Sequence, residues 1–227
     1  MGMPAACLFD LDGLLLDTEP LHARAWQEAS AHFGLELTPQ QALALRGRRR
    51  LDCAEQVRQW MAGAGVEAPS SAALLAVRQP IAERLLPEAP ALPGAEELLS
   101  RCRELGIAMA LVTSSSREAV DLKAAPHPWL ALIGERVHGD DPELQAGKPE
   151  PDPYLLAARR LGVLPARCWA FEDSPAGARS ASMAGCKVHV LLPLQPDLAS
   201  AVVTQLPEGC LTIQHLMEVD VSGRTPQ

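Results

Sequence analysis

The sequence predicts an α/β fold, a parallel sheet covered on both faces by helices, with an all-helical block inserted after the first strand. Three observations carry that reading. Short apolar runs at Ala5–Phe9, Ile107–Val112, Cys168–Phe171 and Lys187–Leu192 alternate with segments of helical period, the pattern of strands buried on both faces. Between residues 18 and about 90 no convincing strand occurs, so that block reads as a second, smaller domain. Finally, polar clusters follow directly on the apolar runs, at the strand ends where open α/β sheets collect their chemistry. The expected division is residues 1–17 with 91–227 for the sheet domain, and 18–90 for the helical one.

In chain order, Ala5–Phe9 delivers Asp10-Leu11-Asp12-Gly13, and the glycine lets the backbone leave the strand by a route other residues find hard. Asp17 or Thr18 can cap the helix that Pro20 helps start. Leu21, Ala25, Ala29 and Phe33 form its apolar stripe and Gly34 supplies a stop. A second helical segment runs from Leu51 to Ala62 and a third from Ser71 to Leu86, with Pro80 expected to break or kink it. Beyond Leu92-Pro93-Gly94, a helix of about ten residues ends at Gly106 and the strand Ile107–Val112 leads into Thr113-Ser114-Ser115-Ser116.

A helix at Arg117–Ala124, a weaker strand near Arg136–His138 and the loop Gly139-Asp140-Asp141-Pro142 come next. Lys148-Pro149 then precedes a helix with Asp152 as expected N-cap and Gly162 past its end. The strand Cys168–Phe171 leads to Glu172-Asp173-Ser174, where Ser174 and Pro175 start a helix that stops at Gly185. After Lys187–Leu192, a final pair of short elements is expected within Cys210–Val219.

The bulk composition removes several function classes. The 227 residues carry a formal charge of -8, with 48% hydrophobic and 21% charged residues, which argues against a general nucleic-acid binder. The one dense basic run, Arg46-Gly47-Arg48-Arg49-Arg50, stands in an otherwise acidic chain. No stretch combines a basic start with a signal-length apolar run, and none approaches the roughly 18 apolar residues of a membrane span. A cytoplasmic protein is therefore expected, with neither nucleic acid nor membrane as partner, and it is taken to be a monomer. The six cysteines are scattered, without C-x-x-C or histidine pairing at zinc-site spacing, and read as small buried hydrophobes.

A parallel sheet would bring Asp10/Asp12, Thr113/Ser114, Lys148 and Glu172/Asp173 to one edge. Four carboxylates would then crowd together, and each like-charge pair near 4 Å costs on the order of 4 kcal/mol at an effective dielectric of 20. Such a cluster binds a cation, keeps a proton, or does both. Ligation by oxygen alone suggests a hard ion, and Mg²⁺ fits best where a phosphate completes its shell. The hydroxyls of Thr113 and Ser114 and the Lys148 ammonium suit phosphate oxygens. One aspartate can attack phosphorus, and the other can protonate the leaving oxygen and then deprotonate a water.

Asp10-Leu11-Asp12-Gly13, Thr113-Ser114, Lys148-Pro149 and Glu172-Asp173-Ser174, in that order, resemble the four motifs of the haloacid dehalogenase-like (HAD) hydrolases with a helical cap after the first strand. The resemblance implies a Rossmann-like parallel-sheet core with an inserted α-helical cap domain. It implies Asp10 as nucleophile, Asp12 as general acid/base, and Thr113, Ser114 and Lys148 as phosphate-binding residues. It further implies a Mg²⁺ site of Asp10, Asp12 (through its backbone carbonyl), Glu172 and Asp173. An aspartate at the second motif position disfavours dehalogenation.

Asp10–Glu19, Ala110–Ser115, Gly139–Glu143 and Gly147-Lys148-Pro149 resemble the branch of pseudouridine-5′-phosphatases and glycerol-3-phosphatases. Leu21–Trp26 and the Gly47/Arg50 loop are similar to β-phosphoglucomutase. That likeness makes His22, Gly47 and Arg50 candidates for substrate selection in the cap, while Arg78 could stand where the mutase carries a cap lysine but reads more simply as a helix-surface charge. The expected activity is Mg²⁺-dependent hydrolysis of a small sugar, polyol or nucleoside monophosphate through an aspartyl-phosphate, with a sugar phosphomutase as the alternative.

Overall fold

The computed structural model describes residues 2–45 and 50–223. Its chain divides into two compact units, residues 1–17 with 90–227, and residues 18–89. The first unit is built on six parallel strands: β1 (Ala6–Phe9), β2 (Ala108–Val112), β3 (Glu135–Val137), β4 (Cys168–Glu172), β5 (Lys187–Leu191) and β6 (Leu211–Ile213). Their order is β3-β2-β1-β4-β5-β6, so β1 lies where the winding direction reverses, the position at which such sheets open a crevice at the strands' carboxyl ends.

Register explains why the polar clusters meet. Phe9 pairs with Leu111 on one side and Phe171 on the other, which leaves Asp10, Val112-Thr113 and Glu172 side by side one residue later. The Asp10 backbone N–H continues the ladder to the Phe171 carbonyl at 3.0 Å, and the Thr113 N–H does the same to Val137.

Alternation along the strands sorts side chains to the two faces. Ala6, Leu8, Ala110, Val112, Ala170, Val188 and Val190 pack with Tyr154, Ala157 and Ala158 of α7 (Asp152–Arg160) and with Ala178 and Ala181 of α8 (Pro175–Met183). The alternate positions carry an aromatic stack in which Phe9 lies on Phe171 at 4.8 Å and Phe171 lies on His189 at 5.0 Å. Leu11, Leu14, Leu15 and Leu16 are fully buried. Bonds from Leu92 N–H to the Leu15 carbonyl and from Asp17 N–H to the Pro90 carbonyl join the chain where it leaves and re-enters this unit.

The second unit consists of α1 (Glu19–His32), α2 (Pro39–Ala44), α3 (Arg50–Gly63) and α4 (Ser71–Leu85). Its core is formed by Trp26, Ala29, Leu35, Leu37, Cys53, Ala54, Val57, Met61 and Leu74. No described helix is long and apolar enough to cross a membrane.

Several local expectations are corrected. α4 runs on through Pro80, its face of Leu74, Arg78, Ala82 and Leu85 held by packing that outweighs the lost backbone bond. Thr18 occupies the N-cap of α1 without a side-chain bond, and its buried hydroxyl has no partner among the described residues. Asp152 is the first residue of α7 rather than its cap, where its charge still suits the helix N-terminus. Two short helices escape sequence periodicity, α2 and a helix at Pro196–Val203. Gly47 lies outside the described residues, as do Arg46, Arg48 and Arg49.

Candidate active site

Asp10 stands one residue past β1 and is almost fully buried. Its Oδ1 accepts from Lys148 Nζ at 2.6 Å, and the same ammonium donates to Glu172 Oε1 at 2.5 Å and to the Val112 carbonyl at 2.8 Å. Those three bonds use all the donors a lysine has. Glu172, with no exposed surface, also accepts from the Tyr154 hydroxyl at 2.5 Å and from Ser174 Oγ at 3.3 Å. Ser174 in turn caps α8 by accepting from the Gly177 N–H.

Burial pushes the Asp10 carboxyl up to about 7; Lys148 works against this, and the Glu172 and Asp12 charges add to it. Burial also acts against the Lys148 ammonium, but Asp10 and Glu172 more than offset it and hold its proton affinity above the usual lysine value. Lys148 is therefore a fixed positive charge at the site.

Asp10, Glu172 and Asp173 can bring oxygens within 4.8 Å of one another. Lys148 is bonded to two members of this trio, and a group of three carboxylates that offers only oxygen fits a hard divalent cation. Two glycines keep room for the carboxylates. Gly13, at φ +83°, lies where a Cβ would collide with Asp173, and Gly177 where a Cβ would collide with Glu172.

Asp12 departs from the expected four-carboxylate cluster. Its side chain turns to α6 (Arg117–Ala124), where both carboxylate oxygens accept from Lys123 Nζ at 2.6 Å and Oδ2 also accepts from Ser115 Oγ at 2.8 Å. The physical reason is charge, because a buried ammonium nearby relieves the repulsion that a fourth carboxylate would add. Thr113 is buried and its Oγ1 accepts from the Ser115 N–H at 3.1 Å. Ser114 is exposed, and its backbone fits so closely against Gly139 that a Cβ there would meet the Ser114 carbonyl.

The family model for the haloacid dehalogenase-like hydrolases matches residues 4–185, a span that contains all of these groups. The chain belongs to that family. Hexitol phosphatase A of Escherichia coli is 35% identical over 91% of this chain and 97% of its own length. A probable pseudouridine-5′-phosphatase of Drosophila melanogaster is 37% identical over 82% of this chain and 80% of its own. Among solved structures, a HAD family hydrolase of Deinococcus radiodurans with bound phosphate and sodium superposes with a TM-score of 0.74, at 30% identity, over 94% of this chain and 93% of that one. The protein is a HAD-family phosphomonoesterase whose relatives act on small phosphates.

Within this HAD hydrolase, the structure brings Asp10, Lys148, Glu172 and Asp173 together and gives Asp12 separate partners. The other candidates belong to the helical unit. His22 Nδ1 accepts from Arg78 Nη2 at 2.9 Å, and Arg50 Nη1 donates to Gln79 at 3.0 Å. Arg78 is not a surface charge. It is 6% exposed, lies over the Trp26 ring at 4.8 Å and has its affinity lowered to about 10, first by burial and then by Arg50.

Sequence reasoning passed over Tyr154, Ser115 and Lys123. Tyr154 is the only tyrosine in the chain, and that isolation in an apolar helix was the available hint. Lys123 carried no such signal, since a lysine in the last turn of a helix reads as a solvated cation.

Proposed function

We propose that this hydrolase is a Mg²⁺-dependent phosphatase that passes the phosphoryl group of a small sugar, polyol or nucleoside monophosphate through Asp10. The observation that carries the reading is the buried Lys148, bonded to Asp10 and Glu172 beside Asp173 at the carboxyl edge of the sheet. A buried cation shared by two carboxylates, with a third close by, suits a site that receives a dianionic ester and a metal together.

Lys148 fixes the Asp10 carboxylate by holding Oδ1, which leaves its second oxygen to attack phosphorus in line with the leaving oxygen. Bond formation from Asp10 and cleavage of the ester P–O bond leave an alkoxide, which takes a proton from Asp12. In the second half, a water gives its proton to Asp12 and attacks phosphorus; the Asp10–phosphorus bond breaks, inorganic phosphate leaves and Asp12 is again protonated. Thr113 and Ser114 would bind the non-bridging oxygens of the phosphoryl group, and Lys148, its three donors already engaged, adds the attraction of its charge. Asp10, Asp173 and the Asp12 carbonyl would hold the cation, with Glu172 as support because its oxygens already accept from Lys148, Tyr154 and Ser174. When bound it would neutralise phosphoryl charge.

The choice of ester is assigned to the helical unit through His22, Gly47 and Arg50, on the likeness to β-phosphoglucomutase. The names of the relatives, hexitol, glycerol 3-phosphate and pseudouridine-5′ phosphatases, define the screen. Phosphate release from sugar, polyol and nucleoside monophosphates is measured with Mg²⁺ and with a chelator. Release that requires the cation and disappears in Asp10→Asn is the expected result; release that survives either change contradicts it. Isomerisation of a hexose 1-phosphate in the presence of its bisphosphate, without free phosphate, would instead identify a mutase.

A further inference from the structure

We propose that Lys123 and Ser115 are the positioning residues of Asp12: they fix its carboxylate so that it can serve the leaving oxygen. The inference rests on the acid/base reading of Asp12 given above and adds the groups through which that residue is held.

Lys123 Nζ makes three bonds, to Asp12 Oδ1 and Oδ2 at 2.6 Å each and to Ser115 Oγ at 2.8 Å, and Ser115 Oγ donates on to Asp12 Oδ2 at 2.8 Å. An ammonium has three donors, and all three are spent on this pair. The Lys123 side chain has no exposed surface, whereas that of Asp12 keeps 19%. The closed end of the ion pair is therefore the lysine, and the carboxylate is the end that keeps exposed surface.

Burying that lysine is not forced by the helix. It lies in the last turn of α6, where a solvated lysine would gain the same favourable interaction with the helix C-terminus. Taking an ammonium out of water costs several kcal/mol unless its partners replace the lost hydration, and Asp12 is its carboxylate partner here.

The local chain is built to aim it. The Thr113 Oγ1 accepts from the Ser115 N–H, Ser116 caps α6 by accepting from Ala119 N–H, and Lys123 follows two turns down the same helix. The loop that carries the phosphate-binding hydroxyl thus also carries the clamp on the acid/base. A carboxylate gripped at both oxygens has one rotamer. An ungripped one samples several, and an error of about 1 Å in a reacting group can cost about 100-fold in rate.

The test uses kcat/KM, which stops at the first phosphoryl transfer, for two esters. One is the alkyl phosphate that the wild type turns over fastest, whose alkoxide needs a proton. The other is p-nitrophenyl phosphate, whose leaving group departs without one. Lys123→Met is expected to lower the alkyl rate by about 10- to 100-fold and the aryl rate by less than about threefold, and to have no further effect in an Asp12→Ala background. Ser115→Ala should shift the same ratio in the same direction by a smaller factor, and it serves if Lys123→Met does not fold. Equal losses on both esters, or a loss from Lys123→Met that multiplies with that of Asp12→Ala, would overturn the proposal while leaving the phosphatase reading intact. A wild type that hydrolyses neither ester would overturn both.

Discussion

Lys148 and Lys123 each donate to an aspartate of the first motif at 2.6 Å, and both lysines are buried, yet the two regions around them are built differently. Lys148 divides its donors among Asp10, Glu172 and a backbone carbonyl, with Asp173 adding a further carboxylate. Lys123 gives everything to Asp12 and the serine beside it. The first region gathers three carboxylates, and in the function proposed above a metal ion and an ester would complete it. In the second, the lysine concentrates its donors on one carboxylate and a neighbouring hydroxyl. In the proposed function, one type of salt bridge would thus serve a reactive carboxylate in one place and a positioned one in the other.

The largest effect expected is on the reactive pair. Asp10→Asn removes the attacking oxygen and should lower phosphate release by about 10³-fold or more, measured on the best ester of the screen.

Lys148→Met comes next, because it leaves Asp10 and Glu172 buried without their cation. A loss of about 3–5 kcal/mol is expected on breaking such a pair, read from urea midpoints. Added Mg²⁺ should restore part of it, whereas the same salt should not restore Lys123→Met. Equal rescue of the two variants would erase the distinction.

A third region supplies a neutral reference. His189, stacked on Phe171, has its affinity lowered to about 4 from 6.5, first by burial and then by the Lys187 charge. Its folded value lies below its unfolded value, so the stability tied to its neutral form is whole above pH 6.5 and is lost as pH falls towards 4. The loss is about 3 kcal/mol at the lower limit. His189→Phe should flatten the fall in urea midpoint between pH 7 and pH 4.5, and an unchanged slope would remove His189 as its source.

The smallest effect concerns space alone. Gly177→Ala pushes a methyl into the Glu172 carboxylate and should cost about 1–3 kcal/mol. Gly63→Ala, with nothing near the new methyl, should be neutral or slightly stabilising.

The sheet was legible because β1, β2, β4 and β5 are almost entirely buried, and strands covered on both faces appear in sequence as unbroken apolar runs. β6 has two exposed residues of its three and leaves no such trace. α2, at six residues, is too short to show a helical period. The same reasoning separates the parts of the site. Asp10, Lys148 and Glu172-Asp173 could be placed together because strand ends in a parallel sheet converge. Lys123 could not, because the charge of a lysine in a helix is read as solvent-facing until the structure shows what encloses it, and the same reading misjudged Arg78 within the helical unit. Tyr154 drew no reading from the sequence, although its hydroxyl reaches Glu172.

The most direct test of the central claim is to catch the phosphoryl group on the protein. The wild type is mixed with its best ester and Mg²⁺, quenched in acid during turnover, digested and mapped by mass spectrometry. A phosphoryl group on Asp10, absent from Asp10→Asn, is the result predicted here. A phosphoryl group on another residue, or rapid turnover with no covalent adduct at any quench time, would contradict it.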